Sequence, residues 1–269
     1  MIRFQSFTSG SCGNCSFLGI ERDGRTHGVL IDAGVSLRRM RRALLDNQLD
    51  LDCIDAVLVT HDHLDHIRHL GAYCKRLGLP VFATATLHRA LSYHPFTREW
   101  IGPCRRELTE EAWNDVAEDI SVLPFELPHD ATQTVGYAIR IAGHRFVMMT
   151  DLGHITPRAL ELAREADTVV IESNFDVDML LGGSYPYELK MRICKGSGHL
   201  SNDACAEAVA SFWHPGLKNL FLCHLSEHNN TPQKALDATF AQLQALGVPS
   251  GQTALRLLTR YVATPLFNL

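Results

Sequence analysis

The chain has 269 residues, 46% hydrophobic and 20% charged, a balance that builds a core and excludes disordered and fibrous classes. No apolar run approaches the roughly 20 residues of a membrane helix. The start, MIRFQSFTSGSCGN, lacks the basic and apolar parts of an export signal, so a cytoplasmic protein with no membrane partner is expected.

Strands are expected at Ile2–Phe7 and Cys15–Ile20, around the turn-rich Ser9-Gly10-Ser11-Cys12-Gly13-Asn14, and at Val29–Ile31, which ends on Asp32. A helix from Ser36 to about Asn47 leads to Ala56–Thr60, whose β-branched run marks a buried strand. A histidine-rich segment follows, then a helix to about Leu77. Helices are read near Leu87 and at Glu110–Val116, and strands at Ile120–Leu127, Val135–Ile141 and Arg145–Thr150. Helix Pro157–Glu165, strand Thr168–Ile171, helix Asn202–Phe212, strand Leu220–Cys223, helix Pro232–Leu246 and a last strand in Leu255–Val262 complete the order. No linker or repeat divides it, so residues 1–269 are read as one domain. The mixture is α/β, and two stacked sheets with helices on their outer faces fit it. Eight scattered cysteines without an export signal read as reduced thiols. With 25 basic and 30 acidic residues, the net charge of −5 offers polyanions no general attraction.

The segment Thr60-His61-Asp62-His63-Leu64-Asp65-His66 follows a buried strand directly. In extended backbone His61 and His63 fall on one side. A turn into a helix lets Asp65 and His66 project toward the same pocket. Imidazole and carboxylate without thiolate favour a borderline or hard divalent ion such as zinc, manganese or iron(II). Comparable groups end other apolar runs: Asp32, His129 after Phe125–Pro128, Asp151 after Met148–Thr150, and His224 after Leu220–Cys223. Rigid strand ends hold ligands in place while the adjoining loops admit substrate.

Asp32, then His61-x-His63-x-Asp65-His66, then His129, Asp151 and His224 together resemble the metallo-β-lactamase superfamily in its dinuclear form. The resemblance implies a four-layer αββα sandwich with two divalent ions, Zn2+ or Mn2+, at one edge. It implies that His61, His63 and His129 take one ion and Asp65, His66 and His224 the other. Asp151 would bridge them, and Asp32 would orient a ligand from behind.

Ser9–Asn14, Ile171-Glu172-Ser173-Asn174, Gly198-His199-Leu200-Ser201-Asn202 and His224-Leu225-Ser226-x-x-Asn229-Asn230 are similar to the YycJ-type (WalJ) exonucleases. The chain carries no long β-CASP insertion. The similarity implies 5′-to-3′ cleavage of DNA, linked to mismatch repair, by a hydroxide shared between two ions. His199, held by Glu172, would then assist the leaving oxygen, while Asp151 keeps the ions paired. Asn14, Lys190, Arg192, Ser201 and Asn202 would contact substrate, the last two through backbone N–H groups at a helix start. Arg38, Arg39, Arg41 and Arg42 read first as a solvated helix face, and second as a track for a nucleic-acid backbone. The same metals would also serve an RNA-directed nuclease, or a glyoxalase II-like thioesterase or lactonase. Gly198–Asn202 with Glu172 favours the nuclease, since small-ester hydrolases do not need that arrangement. Two divalent ions would nearly offset the net charge, so DNA binding should depend on the metals and on local Arg and Lys.

Overall fold

The computed structural model describes residues 1–269. The first sheet collects β1 (Ile2–Thr8), β2 (Cys15–Arg22), β3 (Arg25–Ile31), β4 (Ile54–Leu58), β5 (Val81–Thr84) and β6 (Arg105–Leu108). The second collects β7 (Asn114–Ala117), β8 (Ile120–Leu127), β9 (Thr134–Ile141), β10 (His144–Met149), β11 (Thr168–Glu172), β12 (Asn219–Cys223) and β13 (Ala254–Leu257). A last short strand, β14 (Phe267–Asn268), returns to the free edge of β1, so each sheet has seven strands.

Both sheets follow one plan. β1, β2 and β3 are antiparallel and β3 to β6 parallel, while β7 to β10 are antiparallel and β10 to β13 parallel. Parallel strands need crossover connections, and helices supply them. On the first sheet these are α1 (Leu37–Leu45), α2 (Leu64–Ile67), α3 (Leu70–Leu77), α4 (Ala85–Tyr93) and α5 (Ile101–Cys104). On the second they are α6 (Pro157–Ala163), α7 (Val177–Gly182), α8 (Tyr187–Cys194), α9 (Asn202–Phe212) and α10 (Pro232–Ala245).

Strand parity divides the core. Phe146, Met148, Val170 and Phe221 point between the sheets, where Phe4 meets Phe146 and Phe221 at 5.2 and 5.1 Å between ring centroids. Their neighbours Val147, Met149, Val169, Ile171, Leu220 and Leu222 point outward, onto Ala159, Val209, Phe212 and Leu243 of α6, α9 and α10. Covered on both faces, such strands read as continuous apolar runs. Each fully buried large side chain contributes roughly 1.5–3 kcal/mol. On the other side, Met40, Leu44, Leu70, Tyr73, Leu87 and Ile101 of the helices join the first sheet. The expected αββα layering is the architecture found.

Two elements differ from expectation. The helix expected at Glu110–Val116 is a turn followed by β7, antiparallel to β8. Asn114 closes that turn, accepting from Thr109 N and donating to the Thr109 and Ala112 carbonyls, and Trp113 packs under Arg140. The helix after the histidine segment is broken, with α2 ending before His69 and α3 starting at Leu70. All eight cysteines are free thiols, and no helix is long and apolar enough to cross a membrane.

Candidate metal centre

The carboxyl ends of β3, β4, β8, β10, β11 and β12 meet at one edge of the sandwich, and the polar residues ending those strands converge there. Asp32 follows β3, His61 and His63 follow β4, and α2 presents Asp65 and His66 from its first turn. His129 follows β8, Asp151 follows β10, Glu172 ends β11 and His224 follows β12. Asp32, Asp151 and His224 all adopt left-handed backbone, with φ of 65°, 57° and 55°. That region is costly for side-chain-bearing residues and persists where the surroundings demand it.

Donor atoms gather in four overlapping groups: His61, His63 and His129; His61, His66 and Asp151; Asp65, His66 and His224; and Asp151, Glu172, His199 and His224, each with its atoms within 4.8 Å of one another. Every imidazole there is fixed by its other nitrogen. His66 Nδ1 donates to Asp32 Oδ2 at 2.7 Å. His61 Nδ1 donates to Thr60 Oγ1 at 3.0 Å, and that hydroxyl donates to Asp32 Oδ2 at 2.9 Å. His129 Nδ1 donates to the Gly198 carbonyl at 2.8 Å, and His63 Nε2 to the Asp130 carbonyl at 3.2 Å. His224 Nδ1 donates to Glu172 Oε1 at 2.8 Å. Such partners set the tautomer and turn the opposite nitrogen into the centre, where His66 Nε2 meets Asn14 Nδ2 at 2.8 Å and His63 Nδ1 meets His129 Nε2 at 3.3 Å.

The fit to a metal is direct. His61 Nε2 and His224 Nε2 are buried with no hydrogen-bond partner, and both face this cluster. A buried polar atom left unpaired costs about 1–3 kcal/mol unless something binds it. The charge pattern asks for a cation as well. Burial opposes charge on Asp65, yet His66 and His224 hold its carboxyl well below the usual range. Burial likewise opposes charge on His224, but Asp151, Asp65 and Glu172 raise its pKa to about 10. The carboxylates thus draw positive charge into the centre.

Glu172 does more than its sequence position suggested. Besides His224 it accepts His199 Nδ1 at 2.8 Å on the same oxygen, while Oε2 accepts the Leu152 and Leu200 N–H groups at 3.0 and 3.3 Å. Burial works against its charge, but His199 and His224 hold its pKa down at about 2. Burial also opposes a proton on His199, and Glu172 and Asp151 outweigh it, raising the imidazole above its ordinary value. His199 lines a cavity of about 290 Å³ together with His63, Asp65, His129, Asp151 and His224. A larger cavity of about 730 Å³ opens at the opposite edge, by Arg25, Asp50 and Asp55, away from these donors.

The other sequence-predicted residues divide. Arg192 lines the donor-bearing cavity and pairs with the Asp130 carboxylate. Lys190 is turned away, donating to the Leu181 carbonyl at 2.7 Å. Ser201 caps α9 by accepting from Ala204 N. Asn202 is buried between Ser173 and Asn230, pinning loops together. Asn14 sits behind the donors, with Nδ2 donating to Asp65 Oδ2 at 2.9 Å and Oδ1 accepting from Gly10 N. The backbone there is so close that a Cβ on Gly34 would lie 1.8 Å from the Asp65 carbonyl oxygen. Ser11 and Ser226, members of two of the quoted motifs, also line the cavity, as does Tyr185, for which the sequence holds no signal.

Fold and site together define a hydrolase of the metallo-β-lactamase fold. The profile described as "Beta-lactamase superfamily domain" matches residues 27–224. The exodeoxyribonuclease YycJ of Bacillus anthracis is 31% identical over 255 residues, covering 93% of this chain and 92% of the relative. The exodeoxyribonuclease WalJ of Streptococcus pneumoniae (serotype 2, strain D39) is 30% identical over 233 residues, covering 87% and 85%. Among solved structures, Zn(2+)-bound PqqB from Methylobacterium extorquens superposes with a TM-score of 0.71 at 16% identity, over 99% of this chain and 100% of the other. The chain belongs to the beta-lactamase superfamily and, within it, to the family of the WalJ and YycJ proteins.

Proposed function

We propose that the protein is a dinuclear metal-dependent phosphodiesterase that degrades nucleic acid, with DNA attacked from a 5′ end as its substrate and DNA repair as its setting. In this reading His61, His63 and His129 would hold one divalent ion and Asp65, His66 and His224 the other, with Asp151 within reach of donors from both sets. Zinc and manganese both suit imidazole with carboxylate. Bound there, the ions supply Lewis acidity, making water a nucleophile near neutral pH and offsetting charge on the phosphate oxygens.

The chain's own groups do the rest. Asp32 holds His66 directly and His61 through Thr60, and Glu172 holds His224. Arg192, at the cavity wall, steers the phosphate, and Asn14 braces Asp65. His199, protonated and steadied by Glu172, gives its Nε2 proton to the departing alkoxide.

His199 carries the reading. It is an imidazole outside the proposed ligand set, tethered at Nδ1 to a buried carboxylate and facing the cavity. An alkoxide leaving group needs a proton as it departs, whereas a thiolate does not. The names of the relatives support DNA and the exonucleolytic mode. The test is digestion of 5′- and 3′-labelled, single- and double-stranded DNA and RNA with zinc, manganese or magnesium. Stepwise shortening of DNA from the 5′ end, faster than of RNA, is expected. Thioester turnover far above diester turnover would displace this reading.

A further inference from the structure

Beyond β13 the chain passes beside Ser11 and Leu225, next to the donor-bearing cavity, and Arg260 is fastened there from several sides. Its Nη2 donates to the Leu225 carbonyl at 2.7 Å, one residue from His224, and its Nη1 to Ser11 Oγ at 3.1 Å. The guanidinium carbon lies 3.0 Å from where a Cβ on Gly10 would stand, so only glycine leaves it this room. Its main-chain oxygen accepts from Thr8 Oγ1. All these side-chain partners are neutral, and Arg260 makes no ion pair with any carboxylate. Glu227, which holds the Tyr261 hydroxyl, feels the Arg260 charge without pairing with it. A fixed guanidinium with no carboxylate on its nitrogens suits a phosphate.

Next to it Tyr261 is 56% exposed, its hydroxyl donating to Glu227 Oε1 at 2.5 Å and its ring centroid 5.8 Å from the Arg260 guanidinium carbon. These two residues, with Leu225, Ser226, Pro232 and Leu257, line a second cavity of about 300 Å³. Ser226 lines both cavities, so the second lies next to the first. Arg39 ties the loop down from α1, donating to the Tyr261 carbonyl at 2.6 Å and to that of Phe7 at 3.3 Å. An apolar hollow, an exposed ring and an unpaired cation in sequence are the parts with which proteins hold single-stranded nucleic acid.

Resting on the phosphodiesterase reading above, we propose that Arg260 and Tyr261 seat the nucleotide next to the scissile phosphate. The guanidinium takes that nucleotide's phosphate, and the tyrosine ring stacks on its base over the second cavity. A loop clasp alone would need hydrogen bonds but no charge, so charge and aromatic character separate the two roles.

The test compares steady-state kinetics of the metal-loaded protein on a labelled single-stranded oligodeoxynucleotide and on bis(p-nitrophenyl) phosphate, which has no nucleotide beyond its diester. Arg260→Gln should raise the oligonucleotide KM roughly tenfold, as loss of a charged hydrogen bond does. Its kcat/KM for the small diester should fall by clearly less. The plot of log kcat/KM against log salt for the oligonucleotide should become shallower by about one. Arg260→Lys should recover part of the KM. Tyr261→Ala should raise the KM about fivefold or more, and Tyr261→Trp should restore it, since stacking needs only an aromatic face. Equal losses on both substrates would make Arg260 a clasp and overturn the proposal, as would an unmoved KM and salt slope. Wild-type protein inert on both diesters would sink the phosphodiesterase reading itself, and this inference with it.

Discussion

Asp32 follows β3 in the first sheet and Glu172 ends β11 in the second, and each buried carboxylate supports two imidazoles from beyond its own strand. Asp32 holds His66, and His61 through Thr60, so everything it steadies belongs to the donor cluster. Glu172 divides its support between His224 and His199. The two halves therefore share a device and differ in its use. In the proposed reading, one carboxylate would serve only to shape the metal centre, whereas the other would link that centre to the group that moves a proton.

The most severe break is on the first sheet. Replacing His61 and His63 with alanine together should remove bound metal, read by elemental analysis, and cut kcat/KM at least about a thousandfold, the several kcal/mol that metal ions supply. Retention of both ions and full activity by that double variant would refute the proposed ligand set.

The comparison itself is sharpened by neutralising each carboxylate. Asp32→Asn should weaken metal binding roughly 10–100-fold, the usual cost of losing a partner behind a ligand. Activity should then recover largely as metal is raised. Glu172→Gln should weaken metal binding through His224 and also lower kcat about a hundredfold at saturating metal, because His199 loses the charge that keeps it protonated. Titrations of activity against added zinc or manganese separate the two. Full recovery of Glu172→Gln would reduce Glu172 to a copy of Asp32.

The same asymmetry governs how much could be read from the chain alone. His61, His63, Asp65 and His66 lie within one short segment, so local spacing declares them a constellation. His129, Asp151 and His224 are visible only as polar ends of apolar runs, and the fold must bring them together. The support of Glu172 for His224 was not visible, because it depends on β11 and β12 lying side by side with Glu172 opposite Cys223. Strands β5 and β6 span four residues each, too few to show a period. Helix α8 buries no residue, so no apolar stripe marks it, and nothing in the chain shows that its turn carries Lys190 to the Leu181 carbonyl. At Glu110–Val116 helix-forming composition lost to strand pairing and to the side-chain bonds of Asn114.

The smallest expected effect concerns backbone. Ala142, in the turn between β9 and β10, has φ of 46°, the same left-handed region as Asp151 at 57°. That conformation costs a side-chain-bearing residue roughly 1–2 kcal/mol, of which glycine's greater freedom in the unfolded chain takes back about 0.5–1. Ala142→Gly should therefore raise stability by a few tenths to about 1 kcal/mol in denaturant unfolding, with activity unchanged. Asp151→Gly relieves the same strain and removes a buried carboxylate from the donor cluster, so metal and activity should be lost together. If Ala142→Gly were destabilising, left-handed backbone would carry no cost here, and the strain at Asp32, Asp151 and His224 could not be attributed to the demands of the metal centre.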